Sequence, residues 1–320
     1  MPIKTDFAFK HARTPQIYGA GIDLLGDLRG LINDGKVRTW VGRGFNLIWR
    51  PRPVPIRHFL QLMFTAEELS FTDITGSGIA NRAAKNSNDI LLGAVAYLQT
   101  IRNTFDGSDQ HFEPGVWCCV PTTDSPAQPQ TVVRMGSIPH GTTINLQGIA
   151  TKLTTLDMTS RIVKSSITPF LNGSSDDGES GLVRFPQEEE IGATGGFRTD
   201  LAEVPGLTQE QLSNPNIFLV QANYGLTFDE IVEIQISSNS SNAGAVPDAG
   251  GGTSNIAFLK GNGSSNQNAD APTVTSTLWL QKATDALGNK IEQLQYTQRV
   301  ILEFNTVSWP HISIGTLRPV

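Results

Sequence analysis

The sequence predicts an all-β protein whose core is a closed antiparallel barrel, carrying a short N-terminal helix and a large inserted loop and strand region. Three observations predict it. Short β-type runs recur along the chain, broken by Gly, Pro, Asn and Asp in the rhythm of a meandering sheet. Only one segment shows clear helical spacing, near the N-terminus. The strong β runs fall in two blocks, on either side of a stretch richer in loop residues. Strands that alternate between a filled interior and solvent can close and so remove exposed edges, which places a barrel ahead of a two-sheet sandwich.

The elements follow in order. Over 22–32 the apolar residues Leu24, Leu25, Leu28, Leu31 and Ile32 repeat at helical spacing, and Asn33, Asp34 and Gly35 supply a stop. This predicts one amphipathic helix covering an end of the barrel. Strands are expected at 37–50, 58–64, 68–74, 94–101, 115–120, 131–138 and 142–151, while 90–101 has no clean period and reads as helix or strand. Pro139, His140 and Gly141 mark a tight turn. Gly, Ser and Asp clusters, the triplet Glu188, Glu189, Glu190 and a loop-rich tail then make 152–252 read as an insertion, either a lid or an extension of the barrel. Within it, Thr208 and Gln211 have the spacing of a capping box for a short helix ended by Asn214 and Pro215, and 217–222 and 231–236 read as strands. The closing strands are expected at 254–259, 273–281, 293–304 and 311–317, with a hairpin turn at Ala286, Leu287, Gly288 and Asn289. The chain thus divides into an arm and helix (1–36), a first half-barrel (37–151), the insertion (152–252) and the closing strands (253–320).

Composition narrows the function. The 320 residues suffice for a substantial core, and the formal charge of −6 without a basic cluster argues against nucleic acid as a partner. The two cysteines, Cys118 and Cys119, are adjacent, which closes no disulfide and fits no zinc pattern, so a reducing compartment is expected. The start lacks the apolar segment of a signal peptide and no run reaches membrane-spanning length; a cytoplasmic location without a membrane span follows as the expectation. Sequons at Asn172, Asn239 and Asn262 have meaning only in a secreted protein.

Familiar catalytic machinery is missing. Gly178, Glu179, Ser180 and Gly181 have the wrong spacing for a nucleophile elbow, and His111-Phe112-Glu113 is not followed by the P-C-x-x-C of a zinc deaminase. No phosphate-binding glycine motif occurs. What remains is a set of aromatic and polar residues on expected barrel strands. Trp40, Trp49, Trp117, Trp279 and Trp309, with Gln293 and Gln298, are candidates to line a small-molecule pocket; His311, His140, Tyr296, Arg299 and Gln281 are candidates to act on its content, and Arg50 belongs to the same polar group. For each tryptophan the competing reading is core packing.

The run Leu294-Gln295-Tyr296-Thr297-Gln298, continued through Trp309-Pro310-His311-Ile312-Ser313-Ile314-Gly315-Thr316-Leu317-Arg318, resembles the last two strands of nitrobindins and related fatty-acid-binding-protein-like haem barrels. Trp40 to Gly44, the H-x-E-x-G string His111 to Gly115, and 131–148 resemble further segments of that family in the same order. The resemblance implies a calycin-like barrel. It also implies that His311 is the proximal ligand of haem b, acting on nitric oxide, peroxynitrite or peroxide. Departures include Phe45-Asn46-Leu47-Ile48-Trp49-Arg50-Pro51 after the glycine pair and the insertion, which could roof the barrel mouth over a bulkier ligand. The general pattern also looks like the cofactor-free fungal hetero-Diels–Alderases of tropolone–sesquiterpenoid pathways. That resemblance implies binding of a small apolar polyketide- or terpenoid-like molecule and its cyclisation without cofactor or metal, since orienting two π systems and polarising one oxygen needs no nucleophile. A passive lipid or metabolite carrier would use the same container, and the reading allows a homo-oligomer.

Overall fold

The computed structural model describes residues 23–32, 37–76, 78–81, 89–124, 127–176, 179–239, 251–260 and 268–320. Ten long strands follow one another around a single antiparallel sheet: β1 (Val37–Pro51), β2 (His58–Asp73), β3 (Ile90–Asn103), β4 (Asp109–Val120), β5 (Thr131–Ile138), β6 (Thr142–Lys152), β7 (Thr227–Ser237), β8 (Asp270–Thr284), β9 (Lys290–Phe304) and β10 (Val307–Pro319). Pairing of β1 with β10, from Trp40 opposite Pro319 to Ile48 opposite His311, closes the barrel. The expected fold class is the observed one. The ambiguous stretch 90–101 is strand. The runs expected at 58–64 and 68–74 are one continuous strand, and the barrel strands extend beyond their expected ends by up to six residues, as in β4.

Two expectations for local structure change. Residues 217–222 form helix α3 (Ile217–Ala222), not a strand, because this segment lies across the outside of the barrel instead of in its ladder: Leu219 is buried and its carbonyl accepts from Gln295 Nε2 at 3.0 Å. Tertiary contact overrides the β-branched composition. Residues 254–259 divide into a short strand, Gly252–Asn255, paired with β6, and a helical turn, Ala257–Lys260. The capping box is present at α2 (Gln209–Ser213), where Thr208 Oγ1 accepts from Gln211 and the Gln211 side chain accepts from Thr208. The turns at 139–141 and 286–289 are also as expected, with Gly141 and Gly288 at positive φ.

The core has two parts. Inside the barrel, at one end, Trp40, Phe71, Trp117, Leu278 and Leu294 form an apolar plug. The N-terminal segment, a 3₁₀ helix at Gly26–Leu31, seals that end with Leu25, Leu28, Leu31 and Ile32, and Trp40 Nε1 donates to the Leu31 carbonyl at 3.0 Å. The second part lies on the barrel's outer flank. There Phe45, Leu47, Leu60, Leu62, Ile312 and Ile314 face Met158, Ile162, Ile167, Val204, Leu212 and Leu219. Alternation explains the division: successive residues of a strand point to opposite faces, so β1 sends Asn46 and Ile48 inward and Phe45 and Leu47 outward. The described residues of 153–226 therefore supply the layer on the flank. This corrects the expectation that they roof the mouth, and β7 at the end of the insertion is itself a barrel strand. No described helix is long and apolar enough to cross a membrane.

Candidate functional site

A cavity of about 420 Å³ occupies the end of the barrel opposite the 3₁₀ helix. The apolar part of its wall is Ile48, Met63, Ile101, Ile138, Ile144, Val274, Val300 and Leu302, and Leu259 and Ala269 border it. That volume is within the range of small-molecule sites. A polar belt across the barrel interior, built on five strands, supplies Gln99, His111, Tyr296 and Gln298 to the cavity, and β1 and β10 add Asn46, Arg50, His311 and Ser313.

Two carboxylates anchor the belt. Glu67, on β2, accepts from Tyr296 Oη at 2.5 Å and from Thr65 Oγ1 at 2.7 Å, and Gln99 Nε2 donates to the same tyrosine oxygen at 3.2 Å. Burial pushes the Glu67 carboxyl up to about 6, against the lowering effect of the Tyr296 and Thr65 bonds. Glu113, on β4, accepts from Arg134 Nη2 at 2.7 Å, from Tyr97 Oη, and from His111 Nε2 at 3.0 Å. Burial would raise this carboxyl too, but the Arg134 charge and the His111 and Tyr97 bonds bring it down to about 2. Arg134 also donates through Nη1 to Gln298 Oε1 at 2.8 Å. That bond fixes which way the Gln298 amide lies, because its oxygen is committed and its NH₂ is left to donate.

Both tyrosines hold their protons. Burial raises Tyr296 well above the ordinary phenol value, reinforced by the Glu67 charge, and burial raises Tyr97 as well. Tyr296 spends its hydrogen on Glu67. Three histidines line the cavity: His111, His140 and His311. Burial drives His311 down to about 3, helped by the charges of His111 and His140, and burial likewise lowers His140. Both are neutral imidazoles at ordinary pH.

Of the residues singled out from the sequence, the structure brings Tyr296, Gln298, His140, His311 and Arg50 to this cavity. It does not bring the others. Trp40 and Trp117 lie inside the barrel but in the apolar plug. Trp49 and Trp309 stand in an aromatic cluster with Phe185, their rings 5.4 Å apart, and Trp49 Nε1 donates to the Ile167 carbonyl at 2.9 Å. Trp279 donates to Glu233 at 2.9 Å in the same flank. Gln281 and Gln293 form a buried amide chain with Gln295 and Asn223 near α3, and Arg299 pairs with Asp176 at 2.5 Å. The physical reason is again alternation: Gln281, Gln293 and Arg299 have the opposite parity to the inward Leu280, Leu294 and Gln298 on their strands.

Sequence reasoning passed over Thr65, Glu67, Gln99, Tyr97, Arg134, Asn46 and Ser313, and met the His111 and Glu113 pair as part of a strand motif and as a zinc-deaminase string that it set aside. A signal was present. Met63, Thr65, Glu67, Leu69 and Phe71 share one strand parity, and a glutamate in an otherwise apolar phase is a buried charge that needs partners.

The haem that the nitrobindin resemblance implies can be tested against His311. A proximal imidazole must offer a bare nitrogen to iron. His311 Nε2 instead lies 3.1 Å from Asn46 Oδ1 and 3.3 Å from Ser313 Oγ, so this nitrogen is already engaged by two polar side chains of the wall. The donor set does not fit haem bound through that atom. Cys118 and Cys119 are free thiols, and no group of three or more metal-ligating side chains forms among the described residues.

Comparison with known proteins gives little kinship. No family model and no curated protein matches the chain. Among solved structures, Rv2717c from M. tuberculosis is similar at 12% identity with a TM-score of 0.37, over 93% of this chain and 98% of that one.

Proposed function

We propose that the barrel binds one small, largely apolar organic molecule bearing a carbonyl or related acceptor oxygen, and that it cyclises that molecule without a cofactor, as in a hetero-Diels–Alder reaction. The observation that carries the reading is Gln298. Its oxygen is held by Arg134, so an oriented amide donor lines a cavity of about 420 Å³ that is apolar on one part of its wall and polar on the other. Apolar walls desolvate and confine the reacting π systems, which removes much of the entropic barrier to their union. A fixed donor polarises the electron-poor partner and strengthens as charge develops on its oxygen. The resemblance to fungal hetero-Diels–Alderases of polyketide–terpenoid chemistry accords with this reading, and polyketide- or terpenoid-like substrates suit the walls.

The test offers the protein an o-quinone methide generated in solution together with a cyclic sesquiterpene alkene, and reads product by chiral chromatography. Wild type is expected to form one enantiomer above the background rate. Gln298→Leu is expected to lose about 10²-fold in kcat, the usual cost of removing one polarising donor. Racemic product at the background rate with the wild type overturns the proposal.

A further inference from the structure

His111 differs from the other two histidines of the cavity in having a carboxylate behind it. Residues 111 and 113 are two apart on β4, so both side chains leave the same face of the strand and meet at Nε2···Oε2 of 3.0 Å. The other oxygen of Glu113 is bound by Arg134 and Tyr97. An ionised carboxylate only accepts, so the hydrogen of a neutral His111 is fixed on Nε2 and Nδ1 is its bare nitrogen. Nδ1 makes no hydrogen bond to any described residue. A buried glutamate that orients an imidazole also stabilises the imidazolium that forms when the ring takes a proton.

We propose that His111, oriented by Glu113, is the proton acceptor of the cavity, and that the ligand class is an apolar molecule with an acidic hydroxyl, a phenol or an enol, bound as its oxyanion. This deepens the function proposed above and rests on it. In the step, the ligand O–H bond breaks, an N–H bond forms at Nδ1, and the electron pair stays on the ligand oxygen, where the Gln298 amide donates to it. The imidazolium remains paired with Glu113, and the proton returns on release, so nothing is oxidised or reduced.

Titratable and charged groups face His111 from several strands. Glu113 and Asp109 come from its own strand, Arg134 from β5, Tyr97 from β3, Glu67 from β2, His140 from the β5–β6 turn and His311 from β10. The His111 and His140 rings are 5.5 Å apart, and burial keeps both His140 and His311 neutral, an effect to which a charge on His111 adds. Arg134 is neutralised by Glu113, and Glu67 is shielded by the Tyr296 hydroxyl.

Absorbance of 4-nitrophenol, whose anion and neutral form have separate bands, tests this in a buffer acidic enough to keep the free phenol neutral. An apolar cavity alone favours the neutral form further. Wild type is expected to bind it saturably with the anion band, and to bind 4-nitroanisole, which has no proton to give, about tenfold more weakly by calorimetry. His111→Phe is expected to erase the band and the tenfold preference. Saturable binding of the neutral phenol by wild type, with 4-nitroanisole equal to it, overturns the proton acceptor while leaving the cavity reading in place. No saturable binding of either probe overturns both.

Discussion

Glu67 and Glu113 are nearly the same object placed twice in one barrel. Each is a buried carboxylate on an inward position, each accepts from a tyrosine, and each pair lies over glycines that make room for it. A Cβ at Gly315 would come within 2.6 Å of the Tyr296 ring and 3.0 Å of Glu67; one at Gly136 would come within 2.5 Å of both Glu113 and the Tyr97 oxygen. Yet one carboxyl stands at about 6 and the other at about 2. The difference is Arg134. Neutral donors stabilise a buried anion without cancelling its desolvation, whereas a guanidinium at 2.7 Å outweighs it. The belt thus keeps one carboxylate permanently charged, to orient His111, and one close to its midpoint.

The largest way to break this comparison is Arg134→Met. It leaves Glu113 buried without its guanidinium partner, and a loss of about 3–5 kcal/mol is expected in urea unfolding at neutral pH. The pH dependence should also invert. In the wild type the Glu113 carboxyl is depressed from 4.5 to about 2, so its stabilisation is present above the first value and lost as pH falls through the second. With Arg134 gone the carboxyl rises, and acid should restore stability to the variant. A loss under about 1 kcal/mol would mean that the pair is hydrated and weakly coupled.

Next in size is Glu67→Gln. The wild-type carboxyl is raised from 4.5 to about 6, so protonated Glu67 is favoured in the fold, and its contribution is present below pH 4.5 and lost as pH rises to about 6. The loss amounts to about 2 kcal/mol. The glutamine is always neutral, so the variant's stability curve should lack that slope between the two pH values. An unchanged slope would assign it to another group.

The same belt decided what was legible in the sequence. The barrel itself was readable because its strands alternate cleanly, and 131–138 matches β5 at both ends. The reading faltered where the belt crosses a strand. It split β2 into 58–64 and 68–74 at the point where Thr65 and Glu67 replace apolar inward residues, and it began β4 at 115, past His111 and Glu113. Polar inward residues look like turns when only alternation is used. The site residues show the complementary failure. His311, Tyr296, Gln298 and His140 reached the cavity, but Trp49, Trp279 and Trp309 did not, because an inserted segment that covers the barrel's flank gives the outer face an apolar core of its own. With both faces buried, hydrophobicity no longer says which side is inside; only strand register does.

The smallest effect sharpens the comparison most narrowly. Thr65 gives Glu67 its second hydrogen bond at 2.7 Å, and this bond holds the carboxyl below the value that burial alone would set. Thr65→Val keeps the shape and removes the donor. The Glu67 carboxyl should then rise further above 6, so the pH range over which its stability is lost should extend upward. A hydrogen bond to a charged acceptor contributes about 1.5–3 kcal/mol and one to a neutral acceptor about 1 kcal/mol. Urea unfolding at pH 8 should therefore cost the variant more than unfolding at pH 4, where Glu67 is protonated in both proteins. Equal costs at the two pH values would mean that the hydroxyl fills space beside Gly44 and does not tune the carboxylate, and the contrast between the two glutamates would then rest on Arg134 alone.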